Sequence, residues 1–193
     1  FLLREVPFGQ DGNYSHEAIV NRINADLSND LGNLAQRSLT MVGKQFGGAL
    51  PKPGAFSAND QAILAAADAM IGKARDAMAT QQLHQVLNAV WAVVAEANRY
   101  FAGEAPWALA KTDPARQGTV LYVTAEVLRQ VGILALPFMP DLAAKLLDQL
   151  AIPANERVFA RLDGKHRIAA GKSLPAPATV FPRYVEPEKQ AAQ

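Results

Sequence analysis

Apolar residues recur every three or four positions along most of the chain, the spacing that places side chains on one face of an α-helix. The first stripe predicts a long helix that begins at its N-cap Ser15 and continues to Phe46. Four further stripes predict helices over 57–78, 82–101, 113–134 and 140–150. The pattern therefore predicts an all-α fold, an antiparallel bundle of about five helices.

The expected inner faces are Ile19, Ile23, Leu27, Leu31 and Leu34; Ile63, Ala67, Met70, Ala74 and Met78; Leu83, Leu87, Val90, Val94, Ala97 and Phe101; Val120, Leu121, Val127, Leu128, Val131 and Leu134; and Leu142, Leu146 and Leu150. The fourth helix is apolar over a wide arc, which predicts a central position. Helix starts are marked by Ser57 with Asp60 three residues later, a capping-box pattern, and by Asp113 directly before Pro114.

The character of the sequence changes after Ile152. A short strand-like stretch from Arg157 to Ile168 surrounds Asp163-Gly164, which suggests a β-hairpin. The segment 174–184 contains too many prolines for a helix or a central strand, yet it is apolar enough that it should pack along a surface. We expect three parts: a connection (1–14), the helical bundle (15–151), and an extended C-terminal tail (152–193) whose last residues fray.

The composition of the chain limits the kinds of function that it can have. Of the 193 residues 50% are hydrophobic, enough for one well-filled core, and the formal net charge is only +1. Any contact with a nucleic acid must therefore depend on a local site. There are no cysteines, and the three histidines lack metal-ligand spacing. No nucleophile–base pair or phosphate-binding loop is present, and no apolar run reaches membrane-spanning length. We expect a cytoplasmic protein that makes no contact with a membrane.

The most distinctive stretch runs from Ala97 to Lys111. A strongly apolar helix turns at Gly103 and restarts at Pro106, which places Trp107 at a stiff helix start, with Lys111 one turn further on. The indole is either a platform on which a base stacks or a plug in the core at a helix corner. Asn98 falls near the buried face, and its amide is expected to brace the bend by bonding to the backbone there.

A second polar group lies on the flank of the first helix. Asn33 and Arg37 are four residues apart, so their side chains stand on the same face. An amide and a guanidinium placed in this way can read the edge and the plane of an unstacked base. The alternative is an ordinary solvated flank on which Arg37 pairs with Asp30 or Asn33.

Three segments of the chain closely resemble bacterial methionyl-tRNA synthetases. They are FLLREVPFGQDG (1–12), the helix from NADL (24–27) through NLAQR (33–37), and APWALAK (105–111). The resemblance covers nearly the whole chain. The family are class I synthetases with a Rossmann-type catalytic domain, HIGH and KMSKS motifs and a zinc knuckle, followed by a helical anticodon-binding bundle. None of these motifs occurs here, so the resemblance implies a C-terminal fragment, without its own methionine, ATP or zinc site.

The resemblance also implies roles for individual residues. Asn33, Arg37 and Trp107 match the positions that read the CAU anticodon of tRNA(Met), with Trp107 stacking on the first anticodon base. Independently of the resemblance, Asn98 is expected to support Trp107, and Lys111 to contact phosphate. The implied partners are the tRNA(Met) anticodon loop and the catalytic domain of the full-length enzyme, which uses ATP and possibly zinc. The chain alone is then expected to bind RNA weakly and to be inactive; the alternative is a structural or protein-interaction module.

Overall fold

Helices follow one another with short connections in the computed structural model, which describes residues 1–12 and 14–186. The predicted all-α fold is confirmed, and the five predicted helices are its main rods. The α-helices are α1 (Leu2–Glu5), α2 (His16–Arg22), α3 (Asn33–Gln45), α4 (Ala58–Ala79), α5 (Leu83–Glu104), α6 (Pro106–Thr112), α7 (Pro114–Ala135) and α8 (Pro140–Gln149). A π-helix (Ile23–Gly32) joins α2 to α3, and 3-10 turns lie at Ala154–Glu156 and Phe159–Arg161.

The first rod is continuous from α2 to α3, as predicted. The Ser15 hydroxyl accepts a hydrogen bond from the Ala18 N–H at 3.1 Å, the expected N-cap. The apolar spacing did not indicate that the middle of the rod is a π-helix. A glycine closes it: a Cβ at Gly32 would lie 2.7 Å from the Leu27 carbonyl oxygen and 3.0 Å from the Phe181 Cβ. Only glycine allows both approaches here.

The central helix is α7, in which every residue from Gln117 to Ala135 is buried. It packs against α3, α4, α5, α6 and α8, so the predicted central position of the fourth helix is confirmed. A glycine also marks the contact with α8, since a Cβ at Gly132 would approach the Leu147 side chain to 2.9 Å. Its close neighbours on every side explain why this helix is apolar around most of its circumference.

The helix starts follow the sequence signals. Ser57 and Asp60 form the predicted reciprocal capping box, and Asp113 caps α7 by accepting from the Arg116 N–H at 2.9 Å. One inner-face assignment is wrong: Met78 is 50% exposed. It lies in the last turn of α4, where the neighbouring helices no longer cover it.

The predicted hairpin within 157–168 is wrong, since this stretch of the described chain holds a 3-10 turn and a loop in place of strands. The Asp163 carboxylate accepts from the N–H groups of Lys165 and His166 at 2.9 and 3.0 Å, so the turn satisfies itself locally. The chain after this turn is held by the bundle. The Tyr122 hydroxyl donates to the Ile168 carbonyl, and the Glu126 carboxylate accepts from the Ile168 N–H.

The C-terminal tail lies along the first rod. The Phe181 side chain is buried, and the Asn24 amide both donates to the Tyr184 carbonyl at 3.1 Å and accepts from the Tyr184 N–H at 2.8 Å. A single β-bridge in the described chain joins Ala49 to Ser173. The division at residues 14 and 151 stays a prediction. The stretch expected to fray, 186–193, lies outside the described residues from 187 onward.

Among the described residues, no helix has the length and apolarity needed to cross a bilayer. Nor do residues 1–12 and 14–186 gather three or more histidine, aspartate or glutamate side chains into a group that could hold a metal ion.

Candidate nucleic-acid interface

The corner between α5 and α6 determines where Trp107 is presented. Helix α5 runs through Gly103, where the sequence predicted the turn, and the chain turns instead at Ala105, with φ 45° and ψ 57°. The Ala105 N–H donates to the Phe101 carbonyl at 3.2 Å, and Pro106 then begins α6 with its side chain buried. The left-handed residue at the corner ends α5 and separates it from α6, which begins at the next residue. The indole of Trp107 consequently emerges at the edge of the bundle and is 44% exposed.

The Trp107 indole lies against the core and against Arg37. Its ring centroid is 6.0 Å from that of the buried Phe101, with the planes inclined at 58°. The Arg37 guanidinium carbon lies 4.8 Å from the Trp107 ring centroid and 5.3 Å from that of Phe101. A cation within about 6 Å of an aromatic ring is attracted to its face. The three side chains form what we call the aromatic–guanidinium cluster: Arg37, Phe101 and Trp107. Because Trp107 is 44% exposed, its indole is not sealed inside the protein.

Asn33 and Arg37 both lie exposed on α3, one helical turn apart. Within residues 1–12 and 14–186, no ion pair or hydrogen bond engages the Arg37 guanidinium, so the expected alternative of a pair with Asp30 or Asn33 is not seen. The tertiary structure thus brings two of the predicted residues together, Arg37 and Trp107, which are separated by 70 positions (107 − 37) in the sequence. Asn33 lies on the same face of α3 as Arg37, one turn before it.

Asn98 has a different contact from the one expected. Its amide donates to the Val94 carbonyl at 3.0 Å and to the Asp30 carbonyl at 3.4 Å, not to the backbone of the corner. The prediction that it braces the bend is wrong, because its position on α5 faces the π-helix. It instead ties α5 to the rod one turn before Asn33. Lys111 lies exposed on α6, four residues after Trp107.

A charged cluster lies behind the corner. Arg116 donates to the fully buried Asp60 at 2.9 Å and to Glu104, the last residue of α5, at 2.7 Å. The Tyr100 hydroxyl donates to Asp60 at 2.6 Å. Burial alone would raise the pKa of Asp60, but the hydrogen bonds from Arg116 and Tyr100 outweigh it and hold the pKa below the ordinary value. Burial and the bond to the Asp60 carboxylate raise the pKa of Tyr100.

A buried amide lies next to this cluster. Gln117 is 1% exposed, and its amide donates to the Pro106 carbonyl at 3.0 Å and to the Gln45 side-chain oxygen at the end of α3. The sequence pattern marks Asp60 only as a helix cap and does not single out Arg116 or Gln117. The available signal is the position of Gln117, a polar residue one turn into the helix whose apolar residues cover a wide arc.

Comparisons with known proteins agree with this architecture. Residues 50–193 match the family model described as the anticodon binding domain of methionyl tRNA ligase, and residues 1–39 match that of class I tRNA synthetases (M). The chain is 66% identical, over 98% of its length, to the methionine–tRNA ligase of Brucella suis, and 50% identical, over 97%, to that of Mycobacterium tuberculosis. The crystal structure of the free M. tuberculosis methionyl-tRNA synthetase superimposes with a TM-score of 0.93 at 50% identity, covering 97% of this chain and 38% of that one.

The fold and these matches define an α-helical domain of the kind found in class I tRNA synthetases. The chain belongs to the family of methionyl-tRNA ligase anticodon-binding domains, so the resemblance seen in the sequence is confirmed. It spans 37% of the length of the Brucella and M. tuberculosis relatives that it matches.

Proposed function

We propose that this chain recognises the anticodon loop of tRNA(Met), and that it does so as part of a methionine–tRNA ligase, which uses ATP to join methionine to that tRNA in the cytoplasm. The observation that carries the proposal is the half-exposed Trp107 indole with the Arg37 guanidinium held 4.8 Å from its ring centroid. Family membership, and the matching relatives named as methionine–tRNA ligases, support the proposal.

The chemistry of the cluster suits an unpaired base. Proteins read RNA sequence mainly where loop bases are splayed out, stacked on aromatic rings or guanidinium planes, and hydrogen-bonded at their edges. Trp107 offers the ring and Arg37 offers both a plane and donors, while the Asn33 amide one turn away offers a donor and an acceptor. We assign the first anticodon base to Trp107, and its hydrogen bonds to Arg37 and Asn33.

The cluster is ordered by contacts within the protein. Two aromatic rings hold the Arg37 guanidinium, so part of the entropic cost of fixing a long side chain does not fall on the binding step. A stacked base contributes about 1–3 kcal/mol, which alone corresponds to millimolar or weaker binding. With a net charge of +1, the chain adds little long-range attraction. We therefore expect weak but base-selective binding.

The test is a titration of the 193-residue chain with a CAU anticodon stem-loop and with a loop in which only the first anticodon base is changed. The indole N–H resonances of the chain report on binding, and Trp107→Phe assigns which of the two tryptophans responds. We expect the CAU loop to shift the Trp107 resonance at lower concentration than the changed loop. Trp107→Ala lacks the reporting indole, so its binding is followed by the chemical shifts of the RNA loop, and the difference between the two loops should disappear.

A matched control uses another exposed aromatic. Phe159 is 45% exposed, close to the 44% of Trp107, but it lies on the second 3-10 turn. Phe159→Ala should therefore leave the selectivity unchanged. If the unaltered chain binds both loops equally, the RNA proposal is wrong, and the helical protein-interaction module becomes the better description.

The catalytic chemistry of the proposed ligase is not assigned to any residue of this chain. The sequence contains neither the HIGH nor the KMSKS motif that its family uses. We expect no methionine-dependent ATP–pyrophosphate exchange from the 193-residue chain, and detectable exchange above a buffer blank would contradict this.

A further inference from the structure

Two consecutive side chains at the start of α7 hold the residues on either side of the left-handed Ala105. Arg116 donates to Glu104 at 2.7 Å, and Gln117 donates to the Pro106 carbonyl at 3.0 Å. The corner that presents Trp107 is therefore fixed from behind by the most buried helix of the bundle.

The conformation of Ala105 shows that the corner needs such support. Its φ of 45° lies in the left-handed region, which is unfavourable for any residue that carries a Cβ. Glycine is the usual residue there, and the chain has alanine. A strained backbone persists only where its surroundings hold it in place, and Glu104 and Pro106 are the two residues so held.

Gln117 additionally connects the corner to the helix that carries Arg37. Its amide reaches both the Pro106 carbonyl, next to Trp107, and the side chain of Gln45, at the end of α3. One buried amide thus spans the two elements whose side chains meet in the aromatic–guanidinium cluster. Gln117 itself is 1% exposed and cannot touch RNA.

We propose that Gln117 and Arg116 are positioning residues that set the placement of the Trp107 indole relative to the Arg37 guanidinium, and through it the selectivity for the first anticodon base. This inference rests on the proposed function, since it assigns selectivity to residues that act only through Trp107 and Arg37. Arg116 reaches the corner through Glu104, with Asp60 as its buried anchor. Gln117 reaches it through the Pro106 carbonyl.

The experiment compares two buried amides on the same helix. Gln117→Met removes the donor at similar volume, and Gln130→Met does the same at a position that is 0% exposed but whose amide bonds to Asp68 and Glu126, not to the corner. Both variants should lose stability, which thermal unfolding measures. Only Gln117→Met should shift the Trp107 indole N–H resonance in the free protein and lower the ratio of the dissociation constants for the changed and the CAU loops.

The expected size follows from the loss of the hydrogen bond to the Pro106 carbonyl, the one that reaches the corner directly. Gln117→Met should raise the dissociation constant for the CAU loop by roughly three- to tenfold. Gln45→Ala, an exposed change that cuts only the link to α3, should act in the same direction but less strongly. If Gln117→Met does not fold, Gln45→Ala decides the question.

The outcomes separate the two proposals. If the unaltered chain discriminates the loops and Trp107→Ala abolishes this, but Gln117→Met keeps the same ratio and the same Trp107 resonance, the positioning role is wrong and the RNA-binding role stands. If Gln117→Met fails to fold, an unchanged ratio of dissociation constants and an unchanged Trp107 resonance in Gln45→Ala overturn the positioning role equally. If the unaltered chain does not discriminate at all, both proposals fall.

Discussion

Removing Arg116 tests how the buried Asp60 carboxylate is stabilised. The Asp60 side chain is 0% exposed and that of Arg116 is 20% exposed. Removing one partner of a buried ion pair costs about 3–5 kcal/mol because it leaves a buried charge uncompensated. Arg116→Met retains the Tyr100 hydroxyl and the Ser57 N–H as donors to Asp60, so we expect the lower end, about 3 kcal/mol at pH 7.

The pH dependence gives the sharper result. In the unaltered protein the pKa of Asp60 is lowered, so its contribution to the free energy of unfolding is present above its unfolded value and is lost as the pH falls through the lowered pKa. Without Arg116, its hydrogen bonds and its positive charge no longer oppose the effect of burial, so the pKa of Asp60 rises above that in the unaltered protein. The penalty in Arg116→Met is then largest at neutral pH and decreases as the Asp60 carboxyl of the variant gains a proton. The stability difference between the two proteins should therefore shrink from about pH 7 to about pH 4.5.

Urea unfolding at the two pH values measures this difference, and a double variant isolates the buried charge. Asp60→Asn combined with Arg116→Met should be more stable at neutral pH than Arg116→Met alone, because no buried carboxylate remains. Asp148→Asn is the control: it removes an exposed pair with Arg157 and should cost about 0–1 kcal/mol. A stability loss in Arg116→Met that is equal at both pH values would refute the reasoning.

Three further predictions concern packing and RNA binding. Gly132→Ala should lower the free energy of unfolding by about 1–3 kcal/mol because the new Cβ meets Leu147 at 2.9 Å, whereas Gly72→Ala, also inside a helix but facing open space, should raise it by about 0.5–1 kcal/mol; equal effects in urea unfolding would contradict this. Phe181→Ala should cost about 3–5 kcal/mol in the same assay because its ring is 4% exposed, and no loss would show that the tail contributes nothing to stability. Lys111→Ala should reduce the slope of log K against log salt for the CAU loop by about 0.7 without changing base selectivity, and an unchanged slope would remove Lys111 from the phosphate contacts.

The sequence determined the helical elements and most of their boundaries. Apolar spacing is a local signal, and capping pairs such as Ser57 with Asp60 act within one turn, so both can be read without knowing what packs against them. The predicted hairpin around Asp163 failed because its hydrogen bonds go to the Asp163 side chain and to α7, which the local pattern does not contain. The π-helix is missing from the prediction for a related reason: the Cβ and the carbonyl oxygen of Phe181 in the tail, 149 positions away (181 − 32), lie close to its closing Gly32.

The candidate site, like the fold, could be predicted from the sequence only in part. Asn33, Arg37 and Trp107 could be singled out from residue type, helical spacing and the family resemblance. The contact of the Arg37 guanidinium with both aromatic rings, and the support of the corner by Arg116 and Gln117, join segments far apart in the chain. Which side chains meet across such distances depends on how the helices pack, and packing is a property of the whole core. Local physics thus determined the helices, and only the tertiary structure decided which of their side chains form a site.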